Sequence, residues 1–263
     1  MGDNDIYDND IEKASYKLKV KTKGILEQIL DPSWIKPILD EVDKEYFEEL
    51  IDRIKNDIDR GFTILPDVKC RLAWTEFPVK KIKVIIIGQD PYTTVGVPDG
   101  LSFSSMKAGY IPPSLKNIYK AIIKNVEDVD FSKNVHGSLR GWAEQGVLLL
   151  NSCLTTCAYN SNMHQEYGWK RFVEAMLLHV IETIDFGIAL LWGKFGKDFA
   201  PLIKEAGRKE DGTYKIEILK FSHPSPKCSI DFTNCTHFKD VNTLLKNKDL
   251  ATIKWDALQP PKK

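Results

Sequence analysis

Apolar positions along this chain fall into two alternating rhythms. Short apolar runs occur at residues 82–87 (IKVIII, interrupted only by Lys83), 146–150 (GVLLL) and 187–192 (GIALLW). Each is β-branched or aliphatic and bounded by glycine, the pattern of a strand buried on both faces. A fourth run, 214–221 (YKIEILKF), mixes polar residues into the apolar ones and predicts an edge strand. Between these runs the spacing changes to three and four. Phe47, Leu50, Ile51, Ile54 and Ile58 share one helical face that Gly61 ends. Leu115, Ile118, Tyr119, Ile122, Ile123 and Val126 do the same after Pro112-Pro113-Ser114, where Ser114 is placed to cap the helix. Residues 168–185 give the clearest helix, and further helices are expected over about 195–206 and around Phe238, Val241, Leu244 and Leu245.

Strands alternating with amphipathic helices predict an α/β fold: a central four-stranded parallel sheet flanked by helices on both faces. In such sheets the ligand site lies beyond the carboxyl ends of the strands. Four segments therefore draw attention: Gly88–Tyr92, Asn151–Ser152, Gly193–Lys194 and Ser222–Pro226. Their polar groups are expected to meet in one crevice.

Composition narrows the class. No apolar run approaches the roughly 18 residues of a spanning helix, and the start lacks a signal peptide's apolar core. The expectation is an intracellular, soluble protein of nucleus or cytoplasm, with no membrane association. The 37 basic and 37 acidic residues balance, but Asp3, Asp5, Asp8, Asp10 and Glu12 crowd the first 12 positions without a base. Residues 1–14 read as an acidic, disordered leader, and residues 15–263 as one domain whose weakly basic body permits nucleic-acid binding. Five cysteines without a C-x-x-C pair argue against a zinc ribbon, an iron–sulfur cluster or a disulfide framework. Cys153 and Cys157 read as packing residues. Of five histidines only His223 carries a motif around it, and His179 falls off its helix's apolar face, as a solvated residue would.

The motifs then converge. Gly88-Gln89-Asp90-Pro91-Tyr92 follows the first strand, His223-Pro224-Ser225-Pro226 the fourth, with Leu148-Leu149-Leu150-Asn151 and Pro112-Pro113-Ser114-Leu115-x-Asn117-Ile118-Tyr119 between them. Together they resemble the signatures of the family 1 uracil-DNA glycosylases, in that family's order over roughly residues 60–255. The resemblance implies an enzyme that flips uracil out of DNA and hydrolyses its N-glycosidic bond, leaving an abasic site for base excision repair. By the same resemblance Tyr92 stands against uracil C5 and excludes a thymine methyl. Asn151 pairs with N3–H and O4, so that cytosine leaves buried polar groups unsatisfied. Phe103 stacks on the base and Gln89 offers its backbone N–H near O2. The breaking bond leaves an oxocarbenium-like sugar, for Asp90 to stabilise while orienting water, and a uracil anion, for His223 to stabilise as a neutral donor. Ser114, Gly193, Lys194, Ser225 and Lys227 are the implied DNA contacts. Neither metal nor organic cofactor is called for.

Two departures stand out. Thr93 and Asp99 occupy positions where many relatives carry histidine. Lys227 occupies the place of the usual wedge leucine, and Ile230 or Phe232 is the expected substitute. Without a wedge, single-stranded uracil DNA would be preferred over duplex. The enzyme is expected to be a monomer acting on uracil in single- or double-stranded DNA, with an inhibitor protein or replication partner left open. The alternative reading is a DNA-binding, polymerase-associated subunit of viral type with reduced glycosylase activity, which processivity synthesis with a cognate polymerase would distinguish.

Overall fold

The computed structural model describes residues 3–131 and 136–259, with side chains from residue 9 onward. In chain order the helices are α1 (Asp3–Lys21), α2 (Ile35–Val42), α3 (Glu45–Asp59), α4 (Pro113–Asn125), α5 (Arg140–Ala143), α6 (Trp169–Thr183), α7 (Gly193–Lys197), α8 (Ala200–Ala206) and α9 (His237–Lys246). The strands are β1 (Ile64–Leu65), β2 (Val84–Gly88), β3 (Val147–Asn151), β4 (Thr156–Cys157), β5 (Gly187–Trp192) and β6 (Ile216–Phe221).

The expected four-stranded parallel sheet is present, in the order β3-β2-β5-β6. Every residue of β2, β3 and β5 is buried, so both faces of the sheet are covered. Each buried Val, Leu or Ile there favours the fold by about 2 kcal/mol on leaving water. β6 is the mixed-polarity edge strand that its sequence predicts, and it starts at Ile216 because Tyr214 bridges back to Arg208 instead. All six tryptophans lie in the core, fully buried. The core forms one continuous cluster from Ala14 to Trp255. Among the described residues no helix is long and apolar enough to cross a membrane.

Four differences from the sequence reading have physical causes. The acidic stretch, read as disordered, is drawn into α1 from Asp3 onward, because Ala14 and Leu18 of the same helix pack into the core. The side chains of residues 1–8 lie outside the described part. Ser114 is not the cap of α4: Pro113 takes the first helical position, where its missing N–H costs nothing, and Pro112 precedes it. Ser114 is thereby the second helical residue. His179 is not a solvated residue; its Nε2 lies 3.0 Å from the Ser33 carbonyl and its ring packs on Trp34. Finally, β1 and β4 pair antiparallel over two residues each, too briefly for any periodicity to announce them.

Candidate active site

The sheet register places the first chemical groups. β2 and β3 run parallel with Gly88 opposite Asn151, so Gln89-Asp90 and Asn151 emerge side by side at the carboxyl edge. A Cβ at Gly88 would sit 2.3 Å from Asn151 Oδ1 and 2.8 Å from Ser102 Cβ. Glycine here is a packing requirement: it lets the Asn151 amide lie across the strand end. The Ser152 hydroxyl donates to the Gln89 carbonyl at 2.8 Å, and the Cys153 N–H to the same oxygen at 3.0 Å, locking the turn that carries Asp90.

These ends open into a cleft of about 240 Å³. Gln89, Asp90, Tyr92, Phe103, Ser114, Asn151, His223 and Ser225 all line it. Residues more than 130 positions apart thus converge, as the resemblance implies. Lys194 and Lys227 do not line the cleft; both are exposed, Lys194 in the first turn of α7 and Lys227 on the loop after His223. Gly193, at φ +71°, also has a different part: a Cβ there would meet the His223 Cβ at 2.8 Å, so the residue seats the imidazole.

Each chemical group has a distinct setting. The Asp90 carboxylate accepts the Asn162 N–H at 2.7 Å and the Ser161 hydroxyl at 3.0 Å. Burial raises its pKa above the ordinary carboxylate range, and these two bonds pull the other way by favouring the ionised form. Burial lowers the pKa of His223. Its Nδ1 accepts a backbone N–H within its own loop, that of Ser225. The loop is fixed in turn by Asn117, whose Nδ2 donates to the Pro224 carbonyl at 2.9 Å.

Tyr92 donates its hydroxyl to the Phe103 carbonyl at 3.1 Å, and burial pushes its pKa well up, keeping the phenol neutral. Phe103 itself sits at φ +61°, a left-handed conformation that costs a bulky residue about 1–2 kcal/mol. Such strain persists where the surroundings over-determine it, and here the ring is held between Trp192 at 5.5 Å and His223 at 5.8 Å. Asp99 accepts the Leu101 N–H and the Ser104 hydroxyl, while burial lifts its pKa to about 6.

Of the two candidates for the missing wedge, Phe232 is ruled out in this conformation. It is buried at 2% exposure against Trp192 and Phe221. Ile230 stands 57% exposed on the same loop. Sequence reasoning missed Ser161 and Asn162, which no motif marks, and the structural part of Asn117, which lies inside a quoted motif without an assigned task.

A family model described as the Uracil DNA glycosylase superfamily matches residues 75–246. The chain is 38% identical over 234 residues to "Uracil-DNA glycosylase" of Buchnera aphidicola subsp. Cinara cedri, covering 88% of this chain and 97% of that protein. It is 36% identical over 228 residues to the Homo sapiens protein of the same name, covering 86% and 69%. Among solved structures it resembles a mimivirus UNG in complex with UGI, with a TM-score of 0.76 at 25% identity, covering 93% and 94%.

Proposed function

The chain belongs to the uracil DNA glycosylase superfamily, and we propose that its residues carry out uracil excision as follows. The activity is hydrolysis of the N-glycosyl bond between uracil and deoxyribose in DNA, the opening step of base excision repair. Asp90 faces the sugar, held ionised by Ser161 and Asn162, and stabilises the positive charge that develops as the bond breaks. His223 faces the departing base. Its Nδ1 is occupied as an acceptor, so the neutral ring carries its proton on Nε2, where it donates to the uracil anion's O2.

Specificity comes from the walls. Tyr92 bars a C5 methyl, and its hydroxyl bond to Phe103 keeps the ring from swinging aside. Asn151 reads the polar edge of the base and Phe103 provides the stacking face. Ser114 and Ser225 at the rim, with the Lys194 and Lys227 ammonium groups beyond it, grip phosphates on either side of the flipped nucleotide. The enzyme acts as a monomeric single domain. A solved mimivirus UNG is in complex with UGI, and a protein inhibitor of that kind is the partner this reading assigns to the chain.

One observation carries this reading: the acid, tyrosine, amide and imidazole open into a single cleft of about 240 Å³, room enough to admit a pyrimidine. Alkali-induced strand breakage on paired oligonucleotides tests it. Breakage at uracil and none at thymine is expected, and equal breakage, or none at either, would overturn it.

A further inference from the structure

About the end of α3 lies a cluster that the excision chemistry does not use. Asp57, Cys157 and His164 bring a carboxylate oxygen, a sulfur and an imidazole nitrogen within 4.8 Å of one another. His164 Nε2 is 3.3 Å from Cys157 Sγ and 3.3 Å from Asp57 Oδ2. A single N–H cannot point at both. Two separations of this size match edges of a tetrahedron whose centre lies about 2.0–2.3 Å from each donor, the bond lengths of zinc to oxygen, nitrogen and sulfur, and the third pair, sulfur and carboxylate, lies within 4.8 Å.

The surroundings fit a cation. Asp57 sits in the last turn of α3, where the helix carbonyl ends already make negative charge unfavourable. Its carboxylate is 1% exposed, and the nearby cation is the largely solvated Arg60, 3.4 Å from Oδ1. A thiolate, a carboxylate and a neutral imidazole together neutralise a dication, leaving the buried group with no net charge.

The outer partners are those a metal site needs. His164 Nδ1 lies 2.8 Å from Thr155 Oγ1, which also accepts the Trp169 Nε1–H at 2.7 Å. An Nδ1–H directed at that oxygen leaves the Nε2 lone pair facing the sulfur and the carboxylate. The Tyr167 hydroxyl donates to Asp57 Oδ2 at 2.8 Å, and its ring stacks on His164.

We propose that Asp57, Cys157 and His164 form a structural zinc site, with a small ligand such as water completing the fourth vertex. The site ties α3 to the segment 157–164. That segment carries Ser161 and Asn162, the two clamps on Asp90, so metal binding and the placement of the catalytic carboxylate are linked through one short stretch of chain.

Metal analysis of the full chain purified without chelator should find about one zinc per chain. That content should vanish in C157S, a near-isosteric change, and persist in C153S, which removes a buried thiol outside the cluster. Zinc chloride added to chelator-stripped protein should raise the melting temperature of wild type by ~4 °C or more and leave C157S unmoved. Replacing zinc by cobalt should give a thiolate-to-cobalt absorption band in wild type, a readout that decides the matter even if C157S fails to fold. Wild type that holds no metal and shows no zinc-induced shift would overturn the proposal, as would zinc retained at full content in C157S.

Discussion

Nδ1 of His223 accepts the backbone N–H of Ser225 at 3.0 Å. That bond leaves Nε2 to carry the proton of the neutral ring, the nitrogen that the proposed role would turn to the substrate, and burial favours the neutral form by lowering the pKa. Replacing His223 by Ala removes the donor to the leaving base, and single-turnover excision should fall by ~10²-fold or more, as for loss of an oxyanion donor. A loss under about tenfold would contradict the role.

Asp90 should show its environment in a pH profile. Its pKa is raised, so activity that needs the carboxylate is present at higher pH and lost as pH falls through that raised value. Ser161→Ala removes a bond that favours the charged form, which lifts the pKa further. The acidic limb of the excision profile should therefore move to higher pH in that variant. Asp90→Asn should lose most activity at every pH, and near-normal turnover would remove the assigned role.

Gly88→Ala tests the close packing at the strand ends. The added Cβ meets Asn151 Oδ1 at 2.3 Å, so the amide must shift. Excision should fall by ~10-fold or more while the melting temperature drops by only a few degrees. Unchanged excision would show that Asn151 does not read the base from this position.

Ile230 is exposed on the loop beside His223, whereas Phe232 is locked in the core. If Ile230 fills the space left by the flipped base, Ile230→Ala should slow excision from duplex DNA and leave single-stranded substrate unchanged. Equal effects on both substrates would exclude a wedge.

Asp99 offers a stability test. Burial raises its folded pKa from the ordinary carboxylate value of about 4 to about 6, so the folded state binds more protons than the unfolded chain between those values. Asp99 therefore favours the fold below about pH 4, and that contribution is lost as pH rises toward about 6. Asp99→Asn should flatten the fall in melting temperature across this window. An unaltered slope would show that the carboxyl does not titrate there.

Much of this was legible in the sequence, and the reasons differ by element. β2, β3 and β5 were readable because burial leaves an unbroken apolar run, and β6 because its partly solvated face mixes polar residues into the apolar ones. Gln89, Asp90, Tyr92, Asn151, His223 and Ser225 were readable because they sit at or just after strand ends, where loop chemistry is freest, whereas Phe103 and Ser114 were legible only through the motifs. Ser161 and Asn162 were not: they reach Asp90 from 71 and 72 residues away through bonds that no local rhythm records. The Ser114 cap failed for a local reason, since Pro113 is itself a comfortable first helical residue. His179 was misjudged because helix periodicity reports one face, whereas α6 also meets the chain at Ser33 and Trp34 on another.

The pairing of Gly88 with Asn151 at the end of two hydrogen-bonded strands couples choosiness to speed. The amide proposed to inspect the base and the turn that carries Asp90 ride on the same ladder, so neither can drift alone. A distortion introduced deep in β2 or β3 would blur which base is accepted and slow the cut together, and evolution cannot adjust one at this edge without disturbing the other.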